Sequence, residues 1–532
     1  MKYVLTAAEM KACDNNTIHK IGIPSMVLME RAALVAADEL IRRLGGTKIK
    51  LLVVSGVGNN GGDGLAIGRI LAERGWKVTF YMDGNRDKMT AETREQVKIL
   101  ENLGFSIQSK LEDAEYDMVV DALLGIGLSR EVSGDYARDI MKINEYGRQG
   151  AYICAVDIPS GISADTGKVL GCAVKADLTV AFAFAKRGHL LYPGREYCGE
   201  LAVRDIGITE KSFDNQRPAA FCYEETKIRD LLPERAPSGN KGTFGKVLLL
   251  AGSRDMCGAC LLCGNAVLRS GAGMVKIITP ACNRQIIQQS FPEAMLYTYE
   301  EMPDEEKVKQ SLAWCDVVVA GPGMGMGDAS FLLMKQVLEE KNHPMVIDAD
   351  GLNLLAAHKE LWKLAALRTQ GRTILTPHPG ELCRLLSEDM NFYRENREEM
   401  VFALVNQLGC VAAAKDAVTV VAAAGLEQLY INTSGNDGMA TAGSGDVLAG
   451  VMGGLLAQGM DPFSAACLGV YLHGLAGERA AALNGRRGMT ASDITGALMQ
   501  VMNKLPEGGE KKTCGLAGER CGRQVFEIQE VR

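Results

Sequence analysis

Short β-rich runs that end in glycine and then enter a helical segment recur along this chain. In the first of them, KIKLLVVSG (48–56) is followed by VGNNGGDGLAIGRILAERG. Strand, glycine-rich loop and helix in this order form the general layout of nucleotide-binding α/β folds. The loop is neither GxGxxG nor a Walker P-loop, but it offers side-chain oxygens from Asn59, Asn60 and Asp63. The repeated alternation predicts an α/β fold with parallel sheets.

Length and charge narrow the possibilities further. A chain of 532 residues is too long for one hydrophobic core, and the polar, proline-bearing stretch 209–240 predicts a domain boundary. The net charge of −7 argues against a nucleic-acid or anionic-membrane surface. The N-terminus has no signal-peptide pattern, and no apolar run approaches the ~20 residues of a membrane span. We therefore expect a cytoplasmic protein.

Three strands of the first half end in polar tips. YDMVVDALLGIGLSRE leads into a second glycine-bearing loop at 125–131, and AYICAVDIPSG ends at Asp157 and Ser160. In a parallel sheet such tips lie together at the carboxyl edge, where ligands bind. Asn60, Asp121 and Ser160 therefore predict a set of oxygen donors for a cation, with Asp157 beside the substrate. The alternative is that these residues form turns and cap helices.

Residues 435–450, GNDGMATAGSGDVLAG, place five glycines and two aspartates around the start of an apolar helical segment. Glycines allow positive φ, so successive N–H groups turn towards one anion, and the helix N-terminus adds partial positive charge. Asp446 lies at this junction, in position to take a proton from a hydroxyl that attacks a phosphoryl group. The alternative is a glycine-rich turn capped by aspartate.

Three cysteines, Cys257, Cys260 and Cys263, have the spacing CxxCxxC. A metal or cluster site would need a fourth ligand, and only Cys282 follows within reach in sequence. A period of three also places the cysteines near one face of a helix, so helix packing is the favoured interpretation. Six scattered histidines without HExxH argue against a zinc hydrolase.

Two sets of motifs resemble known enzymes. Those that resemble the N-terminal domain of NAD(P)H-hydrate epimerases are VGNNGGDGLAIGR (57–69), DALLGIGLSR (121–130), VDIPSGISADTG (156–167) and ADLTVAFAFAKRG (176–188). Those that resemble the ribokinase-like NAD(P)H-hydrate dehydratases are KGTFGKVLLLAGS (241–253), AGPGMG (320–325), DADGLNLL (348–355), TPHPGEL (376–382) and the segment 435–450. Their fusion in this order is similar to the bifunctional bacterial repair enzymes.

The resemblance implies two domains and a tail. A Rossmann-like three-layer αβα sandwich is expected at 1–215, a ribokinase-like α/β domain at 225–505, and a tail at 506–532 in which QVFEIQ is a candidate strand. Reduced nicotinamide cofactors that have added water, NADHX and NADPHX, occur as R and S epimers and no longer donate hydride. The first domain would interconvert the epimers, and the second would dehydrate the S form with consumption of ADP. A homo-oligomer is the expected assembly.

For the epimerase half, the resemblance implies that Asp157 is the acid/base group and that K⁺ is bound by Asn60, Asp121 and Ser160. The hydrate is expected to bind Asp157 and two loops, namely Asn59, Asn60, Gly61, Gly62 and Asp63, together with Gly125, Ile126, Gly127, Leu128, Ser129, Arg130 and Glu131.

For the dehydratase half, the resemblance implies Asp446 as the base and Mg²⁺ as a second metal. Nucleotide contacts are expected from Lys415, Asp416, Ala417, Val418 and Thr419, and from Asn436, Asp437, Gly438, Met439, Ala440, Thr441, Ala442, Gly443, Ser444 and Gly445. Ala259, Gly323 and His378 would line the hydrate pocket beside Asp446, although His378 is alternatively a structural histidine of a TPHPG turn. Asp416 and Ala442 stand where the family often has glycine.

Two other functions stay open from the sequence. A small-molecule kinase of the hydroxymethylpyrimidine or hydroxyethylthiazole type also uses GxGD with aspartate as base. A non-catalytic nucleotide-binding scaffold is the second alternative, because such folds persist as interaction modules. The intact NNGGDG motif argues against the first, and the retained Asp157 and Asp446 argue against the second.

Overall fold

The computed structural model describes residues 1–45, 49–111, 113–224, 228–368 and 370–502, so the tail and QVFEIQ lie outside the described residues. The strands are β1 Lys2–Leu5, β2 Lys50–Ser55, β3 Lys77–Met82, β4 Ile107–Gln108, β5 Met118–Ala122, β6 Tyr152–Val156, β7 Leu178–Phe182, β8 Ala185–Lys186, β9 Glu200–Arg204, β10 Ala220–Cys222, β11 Lys246–Leu250, β12 Met274–Pro280, β13 Met295–Tyr299, β14 Val317–Ala320, β15 Met345–Ile347, β16 Thr373–Leu375, β17 Val411–Ala414, β18 Val420–Ala423 and β19 Leu429–Ile431.

The helices alternate with these strands. They are α1 Ala7–Asn16, α2 Ser25–Leu44, α3 Asn59–Glu73, α4 Ala91–Asn102, α5 Gly134–Arg148, α6 Arg187–Leu190, α7 Gly194–Tyr197, α8 Ile228–Leu231, α9 Cys257–Arg269, α10 Arg284–Ser290, α11 Glu305–Trp314, α12 Asp328–Glu339, α13 Asp350–Ala357, α14 Lys359–Ala366, α15 Pro379–Leu386, α16 Met390–Leu408, α17 Ser444–Ala457, α18 Pro462–Asn484 and α19 Ala491–Met502. Short 3₁₀ or π turns occupy Thr17–Ile21, Arg86–Lys88, Glu210–Phe213, Ala281–Asn283 and Asp437–Met439. The predicted α/β fold class is confirmed.

The strands form two sheets. The smaller sheet has the order β4–β3–β2–β5–β6–β7–β9, and all of its neighbours are parallel. The larger sheet has the order β13–β12–β11–β14–β15–β16–β17–β18–β19–β10–β1–β8. Its strands from β13 to β17 are parallel, whereas β17, β18 and β19 pair antiparallel, as expected for a strand pair at 409–424. Parallel neighbours place their following loops at one edge.

Helices cover both faces of each sheet, because successive residues of a buried strand point to opposite faces. In the larger sheet, Val247 and Leu249 pack towards α9, α17, α18 and α19. Leu248 and Leu250 pack towards α11–α16 on the other face. The smaller sheet packs in the same way, with α1–α4 on one face and α5 on the other.

The N-terminal strand joins the two halves of the chain. Strand β1 pairs antiparallel with β10 and parallel with β8, and β10 continues into the larger sheet through β19. The sequence patterns did not indicate β1 or β10, because runs of three or four residues are too short to show a period of two. The limits 1–215 and 225–505 stay a prediction, and β10, which lies between these two ranges, pairs with β1 of the first and with β19 of the second.

Replacing Gly450 by alanine is expected to destabilise the protein. A Cβ atom on Gly450 of α17 would lie 2.3 Å from the Cys263 carbonyl oxygen and 2.8 Å from Ala266 Cβ, both on α9. Overpacking of this kind destabilises by about 1–3 kcal/mol. Gly258→Ala, also on α9, is the matched control, because a Cβ there meets no atom within 4 Å. Denaturant unfolding compares the two variants, and equal stabilities would contradict the close approach of α9 and α17.

Candidate functional site

The carboxyl ends of β2, β5 and β6 open onto a cavity of about 850 Å³. Residues from α1 and α2 and Lys186 complete its wall. The predicted site residues that line it are Asn59, Asn60, Asp63, Gly125, Ile126, Gly127, Leu128, Ser129, Arg130 and Asp157. The structure therefore brings the tips of three separate strands into one site.

Three of the predicted residues do not line this cavity. Gly61 and Gly62 are buried in the first turn of α3, where a Cβ atom would meet the Gly56 carbonyl oxygen at 1.8 Å and Met29 Cε at 2.7 Å, respectively. Both glycines thus permit close packing of the loop. Glu131 is exposed and lies outside the set of lining residues.

Asp157 follows β6 and has a positive φ of 61°. Its Oδ1 accepts hydrogen bonds from Phe182 N (3.1 Å) and from Lys186 Nζ. His189 Nδ1 accepts from Lys186 N (3.0 Å), so its Nε2–H donates to the Asp157 carbonyl oxygen (2.7 Å). Burial and the charge of Lys186 lower the pKa of His189 to about 4, which keeps the ring neutral. These contacts fix both the backbone and the carboxylate of Asp157.

Two further carboxyl groups, Asp14 of α1 and Asp63 of α3, line the same cavity. Burial raises the pKa of Asp14 to about 6, although Lys186 opposes the shift. Burial and the charge of Asp157 raise the pKa of Asp63 well above its usual range. The sequence motifs singled out Asp63 but not Asp14 or Lys186. Lys186 lies in the stretch ADLTVAFAFAKRG, where its position after an apolar strand is the sequence feature that could have indicated a site residue.

The three residues predicted to bind a cation lie around the backbone of Leu124. Asp121 accepts hydrogen bonds from Ser160 N (2.8 Å) and Ser160 Oγ (2.6 Å). Leu124 N donates to Ser160 Oγ (2.9 Å), and Asn60 Nδ2 donates to Leu124 O (3.1 Å). Burial raises the pKa of Asp121 to about 6, while hydrogen bonds from Ser160 oppose the shift. Carboxylate, amide and hydroxyl oxygens in one cluster suit a hard cation.

In the second half, Asp446 lies in the first turn of α17, three residues after Gly443, which has a positive φ of 87°. The free N–H groups and the dipole of the helix therefore point towards the space beside Asp446. Burial and then the charge of Asp348 raise the pKa of Asp446 to about 7. The buried His473 ring lies 3.4 Å from Ser444 Oγ at the same turn, and burial lowers its pKa to about 4.

A buried ion pair adjoins Asp446. Asp348 follows β15, is 1% exposed, and its Oδ1 accepts a hydrogen bond from Lys415 Nζ at 2.6 Å. Gly445 lies against this pair, since a Cβ there would be 3.3 Å from Lys415 Nζ and 3.6 Å from Asp348 Oδ2. The structure thus brings the predicted segments 415–419 and 436–445 together. No role for Asp348 was derived from the sequence, where it stands in the motif DADGLNLL.

The turn after Asp348 positions a second loop. Ala349 has φ 47° and ψ −117°, a conformation that is rare for residues other than glycine. Beyond it, Asp350 Oδ2 accepts a hydrogen bond from Gly325 N at 2.9 Å. One strained residue therefore lies between the aspartate that holds Lys415 and the aspartate that holds the loop 320–325.

The Asp416 carboxylate makes its contacts with helix α16 and its own loop. Tyr393 Oη donates to Asp416 Oδ2 (2.7 Å), Ala417 N donates to Oδ1 (2.8 Å), and Arg397 Nη1 lies 3.7 Å away. The carboxylate of Asp416 is thus held by partners from α16 and from its own loop. Val418 and Thr419 are buried.

The segment 436–445 begins with a capped turn. Asn436 Oδ1 accepts from Gly438 N (2.9 Å), and the exposed Asp437 pairs with Arg486 (3.1 Å). Ala442 does not have a positive φ, so its methyl group introduces no backbone strain.

Of the three residues predicted for the hydrate pocket, Ala259 and Gly323 lie against each other, and His378 lies at the start of α15. Gly323 packs on Ala259, where a Cβ atom on Gly323 would lie 2.8 Å from Ala259 Cβ. His378 caps α15. Its ring Nδ1 accepts a hydrogen bond from Gly380 N (3.1 Å), and its backbone N–H donates to Glu381 Oε2 (2.8 Å). Its ring is half exposed, and burial together with the charges of Lys415 and Arg384 lowers its pKa. His378 therefore has a structural role and an accessible ring.

The CxxCxxC motif lies on α9, and Cys257, Cys260 and Cys263 are buried in the core beneath α17. Among the described residues, no group of three or more histidine, cysteine, aspartate or glutamate side chains is arranged to hold a metal. The helix-packing interpretation is confirmed. Within the described ranges, every helix is too short or too polar to cross a membrane.

Comparisons with known proteins agree with this division into two sites. A family described as YjeF-related protein N-terminus matches residues 25–188, and a family described as NAD(P)H-hydrate dehydratase matches residues 247–500. The ADP/ATP-dependent NAD(P)H-hydrate dehydratase from Bacillus subtilis, co-crystallised with ATP/Mg²⁺, is 30% identical; the match covers 52% of this chain and 96% of that chain, with a TM-score of 0.44.

Full-length relatives contain both halves. The bifunctional NAD(P)H-hydrate repair enzyme of Moorella thermoacetica is 37% identical over 97% of this chain and 99% of its own length. The enzyme of the same description from Escherichia coli is 33% identical over 93% of both chains. The chain belongs to the family of bifunctional NAD(P)H-hydrate repair enzymes.

Proposed function

We propose that the chain repairs hydrated nicotinamide dinucleotides in two steps. Residues 1–215 epimerise the R and S hydrates of NADH and NADPH, and residues 225–505 dehydrate the S hydrate with consumption of ADP. The observation that supports this most is the presence of two differently built carboxylate sites. Asp157 adjoins a cavity of about 850 Å³, whereas Asp446 lies at a helix N-terminus beside a lysine–aspartate pair.

Dehydration requires a better leaving group than water, and phosphorylation of the hydrate hydroxyl supplies one. Asp446 takes the hydroxyl proton while the oxygen attacks the terminal phosphoryl group of ADP, and the bond from that group to AMP breaks. The N–H groups of 436–445 and the positive end of α17 stabilise charge on the transferred group. Phosphate then leaves as the ring double bond re-forms with loss of a proton.

The nucleotide is proposed to bind between the segments 415–419 and 436–445. Lys415 lies between Asp348 and Gly445, where its charge attracts phosphate oxygens. We propose that Mg²⁺ would be held chiefly by the nucleotide phosphates, which are its preferred ligands, and would supply positive charge to them. Ala259, Gly323 and His378 are proposed to contact the hydrate.

Epimerisation is proposed to take place in the cavity of the first half. Asp157 acts as acid/base at the epimerising carbon, and the loops at 59–63 and 125–131 hold the phosphates and ring of the hydrate. The lining of the cavity by Asn59, Asp63 and residues 125–130 supports this arrangement. The expected homo-oligomer stays a prediction.

Asn60, Asp121 and Ser160 are proposed to hold K⁺. Their oxygens fit a hard monovalent cation, and the buried Asp121 supplies the compensating negative charge. A bound cation supplies fixed positive charge at the junction of the three strand tips. Asn60 and Ser160 then orient the loop at Leu124, to which both are hydrogen bonded.

Replacing each catalytic aspartate by asparagine separates the two steps. With mixed R and S hydrates and ADP, Asp446→Asn is expected to lose dehydration by about 100- to 10,000-fold and to keep R/S exchange. Asp157→Asn is expected to recover only the S fraction as reduced nicotinamide. Absorbance of the reduced nicotinamide, with ADP and ATP in parallel, provides the measurement. Full recovery by both variants would overturn the assignments.

Dehydration is expected to accelerate as the pH rises through about 7. The carboxylate form of Asp446 is the base, and burial raises its pKa to about 7, so it is largely protonated one pH unit below and ionised one unit above that value. Between those limits kcat/KM for pure S hydrate should rise roughly tenfold. A flat profile over this range would contradict Asp446 as the base.

Removal of K⁺ is expected to slow epimerisation and leave dehydration unchanged. Exchange into Na⁺ or choline salts of equal ionic strength tests this, with R/S exchange followed by NMR without nucleotide. In K⁺ salt, Asp121→Asn should show the same decrease in the rate of epimerisation. Epimerisation at the same rate in all three salts would contradict the cation assignment.

A further inference from the structure

Lys186 is a buried cation at the wall of the epimerase cavity. Its side chain is 1% exposed, and its Nζ contacts Asp157 Oδ1 and the Phe182 carbonyl oxygen (3.2 Å). Two interactions fix its backbone. Lys186 pairs with Leu5 of the parallel strand β1, and Lys186 N donates a hydrogen bond to His189 Nδ1 (3.0 Å). A lysine is seldom buried without a specific partner. Here that partner is the carboxylate proposed to act on the hydrate.

The two carboxylate oxygens of Asp157 differ in their hydrogen bonds. Oδ1 accepts from Lys186 Nζ and Phe182 N, whereas no residue in the described ranges donates a hydrogen bond to Oδ2. One oxygen is therefore fixed in place and the other is available to a ligand in the cavity that Asp157 lines. A base needs this arrangement, because its reactive lone pair must be both free and correctly aimed.

The other ionisable groups around Asp157 do not share its partner. Asp14 and Asp63 approach from α1 and α3, and neither has a cation in hydrogen-bond contact among the described residues. His189 is neutral and binds only the Asp157 carbonyl oxygen with Nε2. The remaining charged side chains of the cavity wall are Lys11, Glu92, Arg130 and Asp165.

We propose that Lys186 is a positioning residue for epimerisation, which holds Asp157 by Oδ1 and directs Oδ2 towards the hydrate. The proposal rests on the epimerase function proposed for this half. It gives two carboxyl groups of the cavity different roles: Asp157 accepts a proton, while Asp63 stays protonated and donates a hydrogen bond to the substrate. Burial, which raises the pKa of Asp63 well above its usual range, supports this division.

Lys186→Met tests the proposal, because it removes the cation and keeps most of the buried volume. R/S exchange without nucleotide isolates the epimerase step. The kcat of Lys186→Met is expected to fall about 10- to 100-fold near neutral pH, which is less than the roughly 100- to 10,000-fold contributed by a group that transfers the proton itself. Loss of an adjacent cation disfavours a carboxylate, so the rise of activity with pH should move upward by about one unit or more. KM should change much less than kcat.

Two controls separate this role from packing. Lys142→Met removes a lysine that is ion-paired with Asp113 and Glu145 away from the cavity, and it should leave the profile unchanged. Lys186→Arg keeps the charge and should restore the wild-type pH midpoint, even if its kcat is lower. Dehydration of pure S hydrate with ADP, measured on the same samples, shows whether each variant is folded.

A wild-type midpoint in Lys186→Met, with or without a loss of kcat, would overturn the proposal. So would a Lys186→Arg midpoint equal to that of Lys186→Met, because charge would then have no part in the effect. Absence of R/S exchange in the wild type and in Lys142→Met would instead refute the epimerase function itself. The two failures are therefore distinguishable.

Discussion

Parallel strand pairing is the constraint on which both sites depend. Neighbouring parallel strands end at the same edge, so the loops that follow them meet whatever their separation in sequence. In the smaller sheet, β2, β5 and β6 bring together tips that are about a hundred residues apart. In the larger sheet, β15, β16 and β17 place Asp348, His378 and Lys415 at one edge in the same way. The apolar strands thus determine where the polar chemistry is collected.

Much of this arrangement followed from the sequence, because the relevant signals are local. A strand that ends in glycine and asparagine predicts a ligand loop, and five glycines around Asp446 predict a helix N-terminus that binds an anion. Contacts that join distant segments left weaker signals. The Lys186–Asp157 and Lys415–Asp348 pairs, and the placement of Asp14, depend on tertiary packing and show no spacing pattern. Strand β1 is too short to be recognised without its partners.

The two sites use a similar electrostatic arrangement in different surroundings. Each places a lysine, largely removed from solvent, against a carboxylate. At the first site the lysine binds the proposed base itself. At the second it binds the neighbour of the base, so Asp446 is left with the raised pKa that a buried carboxyl acquires. In the proposed function, the first arrangement positions a base, and the second supplies a cation for phosphate.

The halves are also in physical contact near these lysines. Arg187, the residue after Lys186, donates to Glu398 of α16 at 2.8 Å. The adjacent Arg397 donates to the carbonyl oxygens of Ala414 (3.3 Å) and Val418, on either side of Lys415. Strand β8, which contains Lys186, belongs to the same sheet as β17. A continuous set of polar contacts and strand pairs therefore connects the wall of one site with the other.

In the proposed function, both epimers of the hydrate are restored to reduced nicotinamide through one phosphorylated intermediate. Stoichiometry measured by ³¹P and ¹H NMR, with mixed hydrates and excess ADP, tests this most directly. We expect one AMP and one phosphate for each reduced nicotinamide formed, with both epimers consumed completely. Recovery of reduced nicotinamide without nucleotide turnover, or accumulation of a stable phosphorylated product, would contradict it.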